Sequence, residues 1–244
     1  MAVSIDLPVP ASALAIGAHA DDVEFGAGAT LAKWARAGTI VHLLVLTDGS
    51  KGTWEAGASL AELVVERRRE QEKAAAVLGI AEVIFFDFVD GELVVDPGGQ
   101  ARVCAAIRTA RPEVVIGHDP WARYRIHPDH RHAGFLVTDA IVAARDPHFF
   151  PEQGLAPHRP ERLLLFEAEG PDHFERVDDS IDTKIEALLC HRTQWETTME
   201  IDADSPQVDT QRAAFAARVR EEAAAAGAPA GIARAEAFKL VADL

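Results

Sequence analysis

Two short clusters of histidine and aspartate carry the side chains best suited to chemistry in this 244-residue sequence. In chain order they are His19, Asp21 and Asp22, followed by His127, Asp129 and His130. A catalytic zinc ion usually takes three protein ligands from such side chains and keeps one position open. Ferrous iron accepts the same combination of two histidines and one carboxylate. The residue types therefore indicate a divalent-metal site and leave zinc and iron both open.

Each cluster follows an apolar run that is typical of a buried strand. Residues 13–16 precede the first cluster, and residues 114–116 precede the second. Because the carboxyl ends of parallel strands meet at one edge of a sheet, we expect the two clusters to form one composite site. His19, Asp22 and His130 are the predicted metal ligands, since the first two follow one strand closely and the third arrives from the other.

The remaining members of the clusters suit proton transfer. A catalytic metal lowers the pKa of its bound water to about 7, and Asp21, beside a predicted ligand, is the predicted general base. His127, with Asp129 nearby, is predicted to stay protonated and to stabilise an oxyanion or protonate a leaving amine. Taken singly, either cluster would fit a structural histidine or a helix-capping aspartate. Their occurrence after two strands favours a mononuclear zinc hydrolase.

Strands and helices alternate along the segments that position the clusters. We predict strands over residues 13–17, 40–46, 83–86, 113–117 and 163–166, and helices over residues 26–37, 59–78, 99–110, 181–191, 207–226 and 229–243. This alternation, with nearly continuous apolar strands, predicts a three-layer Rossmann-like α/β fold with a mostly parallel sheet. We expect a single domain over residues 1–244, in which the part from about residue 146 is an irregular and helical extension.

The acidic composition limits the partners of the protein. Its formal net charge of −15 repels nucleic-acid phosphates and anionic membrane headgroups. No segment approaches the roughly 18 apolar residues of a membrane span. Neither Cys104 nor Cys190 belongs to a CxxC pair, and the N-terminus lacks a secretory pattern, so we expect reduced thiols and a cytoplasmic protein. A homo-oligomer is compatible with the sequence.

The two clusters resemble the paired signatures of the LmbE-like, or PIG-L, family of zinc-dependent deacetylases. The matching segments are AHADDVE at residues 18–24 and HPDH at residues 127–130. Ala20 stands where the family usually has proline, at a position that supplies no ligand. The resemblance extends over residues 13–145 and includes LTDG at residues 46–49. It implies a zinc-dependent hydrolase that removes acetyl from an N-acetylglucosamine-type amino sugar or its conjugate.

The same resemblance assigns roles to individual residues. It implies the ligands, base and acid named above, and it makes Asp129 the partner that orients His127. Arg67 matches an arginine that contacts substrate in some members, and the alternative is a surface arginine on a charged helix. Asp48 is a second candidate for substrate contact, through sugar hydroxyls, and the alternative is a residue that shapes a turn. Glu24 is predicted to be a carboxylate at the start of a helix.

Two other classes of protein compete with a hydrolase. A nucleotide-binding oxidoreductase would fit a Rossmann-like sheet, but the first strand does not lead into a GxGxxG loop. Gly26 and Gly28 arrive later without a third glycine, and we interpret them as residues that ease close helix packing. A non-catalytic sugar-binding protein would need neither Asp21 nor His127. The presence of both residues therefore favours the hydrolase.

Overall fold

The computed structural model describes residues 3–244, within which eight strands form one sheet. The strands are β1 Ser4–Ile5, β2 Ser12–Gly17, β3 Ile40–Thr47, β4 Glu82–Phe88, β5 Val114–His118, β6 Arg162–Phe166, β7 His173–Arg176 and β8 Ala235–Ala242. Their order across the sheet is β1-β7-β8-β6-β5-β2-β3-β4. The strand pairings are parallel except for those of β8, which runs antiparallel to β6 and β7.

Helices cover both faces of the sheet. They are α1 Asp22–Arg36, α2 Leu60–Leu78, α3 Pro97–Ala110, α4 Pro128–Arg145, α5 Ile181–Leu189 and α6 Val208–Gly227. Alternate residues of β2 point to opposite faces, as the pleat of a strand requires. Leu14 and Ile16 pack in a core cluster with α3 and α4, whereas Ala13 and Ala15 pack in a cluster with α1. The prediction of a three-layer α/β fold with a mostly parallel sheet is therefore confirmed.

The pairing of β2 with β5 brings the two histidine/aspartate clusters to the same edge of the sheet. The strands are parallel neighbours, with Ala15 opposite Ile116. Helix α1 begins at Asp22 and α4 begins at Pro128, so each cluster lies between a strand end and a helix start. Proline suits the first turn of α4 because the missing N–H has no partner within the helix at that position.

The prediction of a helix over residues 229–243 is wrong, because Ala235–Ala242 forms β8. Alanine favours helices, yet this segment buries Phe238 in the same core cluster as α1 and pairs Val241 with Leu163 of β6. Burial and pairing within the sheet outweigh the local helix propensity. Helix α4 and the short strands β1 and β7 are further elements that the sequence did not predict.

The part of the chain after residue 146 is more than an irregular and helical extension. It supplies β6, β7 and β8 to the sheet that also contains the earlier strands. The single domain stays a prediction, which this shared sheet favours. Within residues 3–244, no helix combines the length and the apolar character needed to cross a membrane.

Candidate active site

A tight turn joins β2 to α1 and carries the first cluster. Asp21 adopts a φ of 97° and a ψ of −28°, and this left-handed conformation costs a residue with a side chain roughly 1–3 kcal/mol. A Cβ added at Gly17 would lie 3.2 Å from the Cβ of Asp22, so the strand end leaves little room for a larger residue. The turn places a strained backbone at the residue predicted to be the base.

The three predicted ligands lie together at the edge of the sheet. Asp22 Oδ2 is 3.3 Å from His19 Nδ1, and Asp22 Oδ1 is 3.3 Å from His130 Nε2. One ligand atom from each of the three residues lies within 4.8 Å of the other two. Burial opposes the charge of Asp22, but the imidazoles of His130 and His118 hold the pKa of this carboxyl well below its usual value.

The surroundings of His19 fit a metal ligand. Its Nε2 is 3.1 Å from Asp90 Oδ1 and 3.2 Å from Asp129 Oδ2. When these carboxylates accept hydrogen bonds from Nε2–H, the lone pair of Nδ1 is directed at the position between His19 and Asp22. Two imidazole nitrogens and one carboxylate oxygen form a donor set that suits a divalent metal such as zinc or ferrous iron. The residues at this position therefore fit the metal that the resemblance implies.

Among residues 3–244, two other groups of side chains also have ligand atoms within 4.8 Å of one another. They are His19 with His127 and Asp129, and His118 with His130 and Glu167. Each group shares one histidine with the predicted ligands, but Asp129 and His118 do not line the cavity described below. His19, Asp22 and His130 all line it. His19, Asp22 and His130 are therefore the candidate group that agrees with both the sequence prediction and the cavity.

Glu167 supports the site from the end of β6. Its Oε2 is 3.2 Å from His118 Nδ1 and 3.6 Å from His130 Nδ1. The Nε2 atom of His118 in turn lies 3.2 Å from Asp22 Oδ2. Burial opposes the charge of Glu167, but hydrogen bonds with His118 and His130 lower its pKa to about 2. Glu167 thus lies beside the candidate ligand His130 and is linked to the candidate ligand Asp22 through His118.

We expect the Glu167→Gln variant to bind zinc about 10- to 100-fold more weakly, the usual effect of losing a partner that orients a ligand. The amide lacks the charge that holds both imidazoles in place. Competition with a chelator of known affinity measures the change. Glu169→Gln is the matched control, because Glu169 is exposed and pairs only with Arg123 among the described residues. Equal zinc affinity of Glu167→Gln and the control would contradict the orienting role.

A cavity of about 580 Å³ opens beside the three ligand candidates. The predicted site residues Asp21, Arg67 and His127 line it as well. Other lining residues with polar side chains come from several loops and helices, and they include Lys51, Asp90, Arg125, Gln194 and Glu222. A concave site with convergent polar groups is the usual form of a small-molecule site.

Asp21 has the environment of a general base. Its side chain is buried, and burial raises its pKa to about 6, although the Arg67 guanidinium opposes this shift. The Asp21 Oδ1 atom is 3.9 Å from Arg67 Nη2. A carboxylate with a raised pKa accepts a proton more readily than an ordinary exposed one and is still ionised at neutral pH.

His127 and Asp129 interact differently from the prediction. The Asp129 carboxylate accepts hydrogen bonds from the backbone N–H groups of Gly91 at 2.6 Å and Leu93 at 3.2 Å, and it also faces His19. Its link to His127 is a backbone one, since Asp129 N donates to His127 Nδ1 at 3.3 Å. The hydrogen bonds of the Asp129 carboxylate therefore orient His19, and its effect on His127 is through charge alone.

The surroundings of His127 oppose its protonation. Burial and the charges of His19 and His130 lower the pKa of His127, and the attraction of Asp129 does not outweigh them. Because Nδ1 accepts the backbone N–H, the neutral ring carries its hydrogen on Nε2. The lowered pKa favours a neutral His127 that presents Nε2–H to the cavity, and its protonation during the reaction stays a prediction.

The two residues predicted to contact substrate, Arg67 and Asp48, differ in their position relative to the cavity. Arg67 is buried and lines the cavity, so the alternative of a surface arginine is wrong, while substrate contact stays a prediction. Asp48 Oδ1 accepts hydrogen bonds from Ser50 N at 3.0 Å and Asp90 N at 3.1 Å. Asp48 does not line the cavity, and the structure therefore favours its alternative role in shaping a turn.

Glu24 is completely buried and does not line the cavity. Its Oε1 accepts a hydrogen bond of 2.5 Å from Gln71 Nε2. Glu24 does lie in the first turn of α1, as predicted, but it packs inside the protein and has no access to a substrate.

Asp90 and Glu167 are site residues that the sequence analysis missed. Burial alone would raise the pKa of Asp90, but its hydrogen bond with His19 lowers that pKa to about 2. Both residues follow strands of the parallel sheet, β4 and β6, at the same edge as the two clusters. In parallel sheets, ligands bind at the carboxyl ends of the strands. Acidic residues after every parallel strand, and not only after two of them, were therefore candidates for the site.

The sheet topology, with candidate metal-binding residues at its carboxyl edge, defines an α/β protein of the LmbE-like class. Among protein families, residues 14–141 match the model of PIG-L, described as GlcNAc-PI de-N-acetylase. The match spans more than half of the chain, so this chain belongs to the PIG-L family. The resemblance drawn from the two signatures is confirmed.

The similar proteins include deacetylases and a hydratase. The chain is 36% identical to the diacetylchitobiose deacetylase of Thermococcus kodakarensis, over 75% of this chain and 69% of that protein. It is 29% identical to the 4-oxalmesaconate hydratase of Pseudomonas putida, over 76% of each protein. The structure of N,N'-diacetylchitobiose deacetylase from Pyrococcus horikoshii, in complex with an inhibitor, has a TM-score of 0.84 and 27% identity, with 96% of this chain and 84% of that chain covered.

Proposed function

We propose that this protein is a zinc-dependent hydrolase that removes the acetyl group from an N-acetylglucosamine-type amino sugar or its conjugate. The observation that carries the proposal is the meeting of His19, Asp22 and His130 beside Asp21 and His127 in one cavity. These residues belong to the segments that resemble the family signatures. Family membership and the deacetylase relatives support the same reaction.

Each residue of the site has a separate role in the proposed amide hydrolysis. A zinc ion held by the three ligands would polarise the amide carbonyl and acidify a bound water molecule. The Asp21 carboxylate accepts a proton from the attacking water. His127 donates its Nε2–H to the carbonyl oxygen as negative charge develops there. When the C–N bond breaks, the proton held by Asp21 passes to the leaving nitrogen, and the products are acetate and a free amine.

The proposed substrate class rests on the cavity and the relatives. The lining groups of Lys51, Gln194 and Glu222 can form hydrogen bonds with sugar hydroxyls. Two relatives are named as deacetylases of diacetylchitobiose, an N-acetylated sugar. We propose a small amino-sugar conjugate as the partner and treat zinc as the resident metal, with ferrous iron as the alternative.

A panel of substrates tests the proposed reaction. Zinc-loaded protein is incubated with N-acetylglucosamine, diacetylchitobiose and an N-acetylglucosaminide that carries an apolar aglycone, and free amine is measured. We expect amine release from at least one member of the panel. Binding without amine release across the panel would support the non-catalytic sugar-binding protein and contradict the hydrolase.

A hydratase is the second candidate, because one relative with that name shares the fold and covers most of the chain. A hydratase adds water to a carbon–carbon double bond and releases no amine. The deacetylase is favoured because the relative with that name has 36% identity, against 29% for the hydratase. Conversion of 4-oxalmesaconate by the same preparation, without amine release from the sugar panel, would reverse this order.

The glycines of α1 disfavour a nucleotide-binding oxidoreductase. Gly26 and Gly28 lie within the helix and do not form a phosphate-binding loop before it. A Cβ added at Gly26 would lie 2.5 Å from the ring of Phe166. The interpretation of these glycines as residues that permit close packing agrees with this contact.

We expect the His127→Ala variant to lower kcat by about 10²- to 10³-fold, the usual effect of removing one donor to an oxyanion. Zinc content and affinity for an uncleaved substrate analogue should change little, since the donor acts mainly in the transition state. His148→Ala is the control, because His148 is exposed and lies outside the cavity. Loss of zinc from His127→Ala would make His127 a ligand and the division of roles wrong.

A further inference from the structure

Two side chains of α2 hold opposite ends of one peptide group in the turn after β2. Arg67 Nη2 donates to the carbonyl oxygen of Ala20 at 2.8 Å. The N–H of Asp21, which belongs to the same peptide group, donates to Gln71 Oε1 at 3.2 Å. Arg67 and Gln71 are four residues apart and therefore lie on one face of α2. A single helix thus fixes both polar atoms of the Ala20–Asp21 peptide.

The held peptide precedes a strained residue. Asp21 has a φ of 97°, and its side chain makes no capping hydrogen bond to α1 that would stabilise this conformation. Strain of this kind persists only where the surrounding structure enforces it. A change in φ of Asp21 that no opposite rotation at Ala20 compensates would relax the strain, and it would also move Cβ of Asp21 and turn the carboxylate to a new direction.

The orientation of the Gln71 side chain is fixed by a second contact. Gln71 Nε2 donates to Glu24 Oε1 at 2.5 Å, so Gln71 Oε1 faces the N–H of Asp21. Gln71 and Glu24 are both completely buried, so bulk solvent does not reach either side chain. On the Arg67 side, a second hydrogen bond of 3.1 Å from Nη1 to Gly49 O anchors the guanidinium.

We propose that Arg67 and Gln71 are positioning residues, which clamp the Ala20–Asp21 peptide and so aim the Asp21 carboxylate at the cavity. The inference rests on the proposed function, in which Asp21 is the base. It gives Arg67 a role in addition to the substrate contact predicted from the sequence. It also assigns a catalytic consequence to Gln71, which does not line the cavity.

The Gln71→Met variant tests the clamp, because methionine has a similar volume and lacks the acceptor for the N–H of Asp21. We expect kcat to fall by about 10²-fold, the effect of a small displacement of a catalytic group. KM and zinc content should stay near the wild-type values, since the clamp acts on Asp21 alone. Glu72→Met is the matched control on the exposed face of the same helix and should keep wild-type kcat. If Gln71→Met does not fold, Gln71→Asn withdraws the acceptor with a smaller change in polarity.

A double-mutant cycle separates positioning from general stability. If Gln71 acts through Asp21, then adding Gln71→Met to the Asp21→Asn variant should not lower kcat any further. The exchange Glu24→Gln with Gln71→Glu keeps an acceptor for the N–H of Asp21 and an amide–carboxylate pair between positions 24 and 71, so it should restore kcat. An unchanged kcat in folded Gln71→Met, additive losses in the cycle, or an exchange variant as slow as Gln71→Met would each overturn the clamp.

A crystal structure of Gln71→Met gives a readout that does not depend on activity. The clamp predicts that φ of Asp21 leaves the positive region in this variant. An unchanged φ would overturn the clamp whether or not the protein is a deacetylase. Conversely, a wild-type protein that releases no amine would overturn the proposed function and leave the structural result standing.

Discussion

The Asp21→Asn variant is expected to keep its zinc and to lose turnover by about 10²-fold or more, the usual effect of losing a general base. Asparagine has the size and most of the polarity of aspartate but does not accept the proton of the attacking water. Metal analysis and kcat on the same preparation measure the two quantities. Asp87→Asn is the control, because Asp87 is exposed and pairs with Arg102 away from the cavity. Normal zinc with retained turnover would make the assignment of the base wrong.

The same residue predicts the acidic limb of the pH–rate profile. Burial raises the pKa of Asp21 to about 6, above its value in an exposed carboxyl. As the pH falls through the pKa of Asp21, the carboxylate gains a proton and no longer serves as a base, so kcat/KM should fall. The residual activity of Asp21→Asn should lack this limb. An unchanged acidic limb in the variant would assign the limb to another group.

His19→Ala and His130→Ala are expected to purify with little zinc and with almost no activity. Only three protein groups are predicted to hold the metal, so each variant leaves two. The loss of affinity should exceed the roughly 10- to 100-fold effect of losing an orienting partner such as Glu167. The control is again His148→Ala, which should keep wild-type zinc. Stoichiometric zinc in both ligand variants would contradict the assignment.

The mostly parallel sheet and the composite site were predictable because they depend on patterns that the chain carries locally. The apolar runs before His19 and before His127 mark two strands, and the general rule for parallel sheets places their ends together. The register of Ala15 opposite Ile116 realises this expectation. The residue types in the two clusters then suffice to indicate a metal and a base.

The parts that the sequence did not predict depend on long-range contacts. The strand β8 is alanine-rich and becomes a strand through its pairing with β6 and β7. The partner of the Asp129 carboxylate is His19, 110 residues away, and no local pattern distinguishes it from the neighbouring His127. Gln71 was not among the predicted site residues, because its contact with the turn at Asp21 exists only in the folded chain.

The most direct test of the account is the measurement of acetate and amine after the metal is removed and restored. Protein stripped with a chelator is divided, and one half receives zinc before incubation with the responsive N-acetylglucosaminide. We predict equal amounts of acetate and amine from the zinc-loaded half and almost none from the stripped half. Equal rates in the two halves, or substrate loss without acetate, would contradict a zinc-dependent deacetylase at this site.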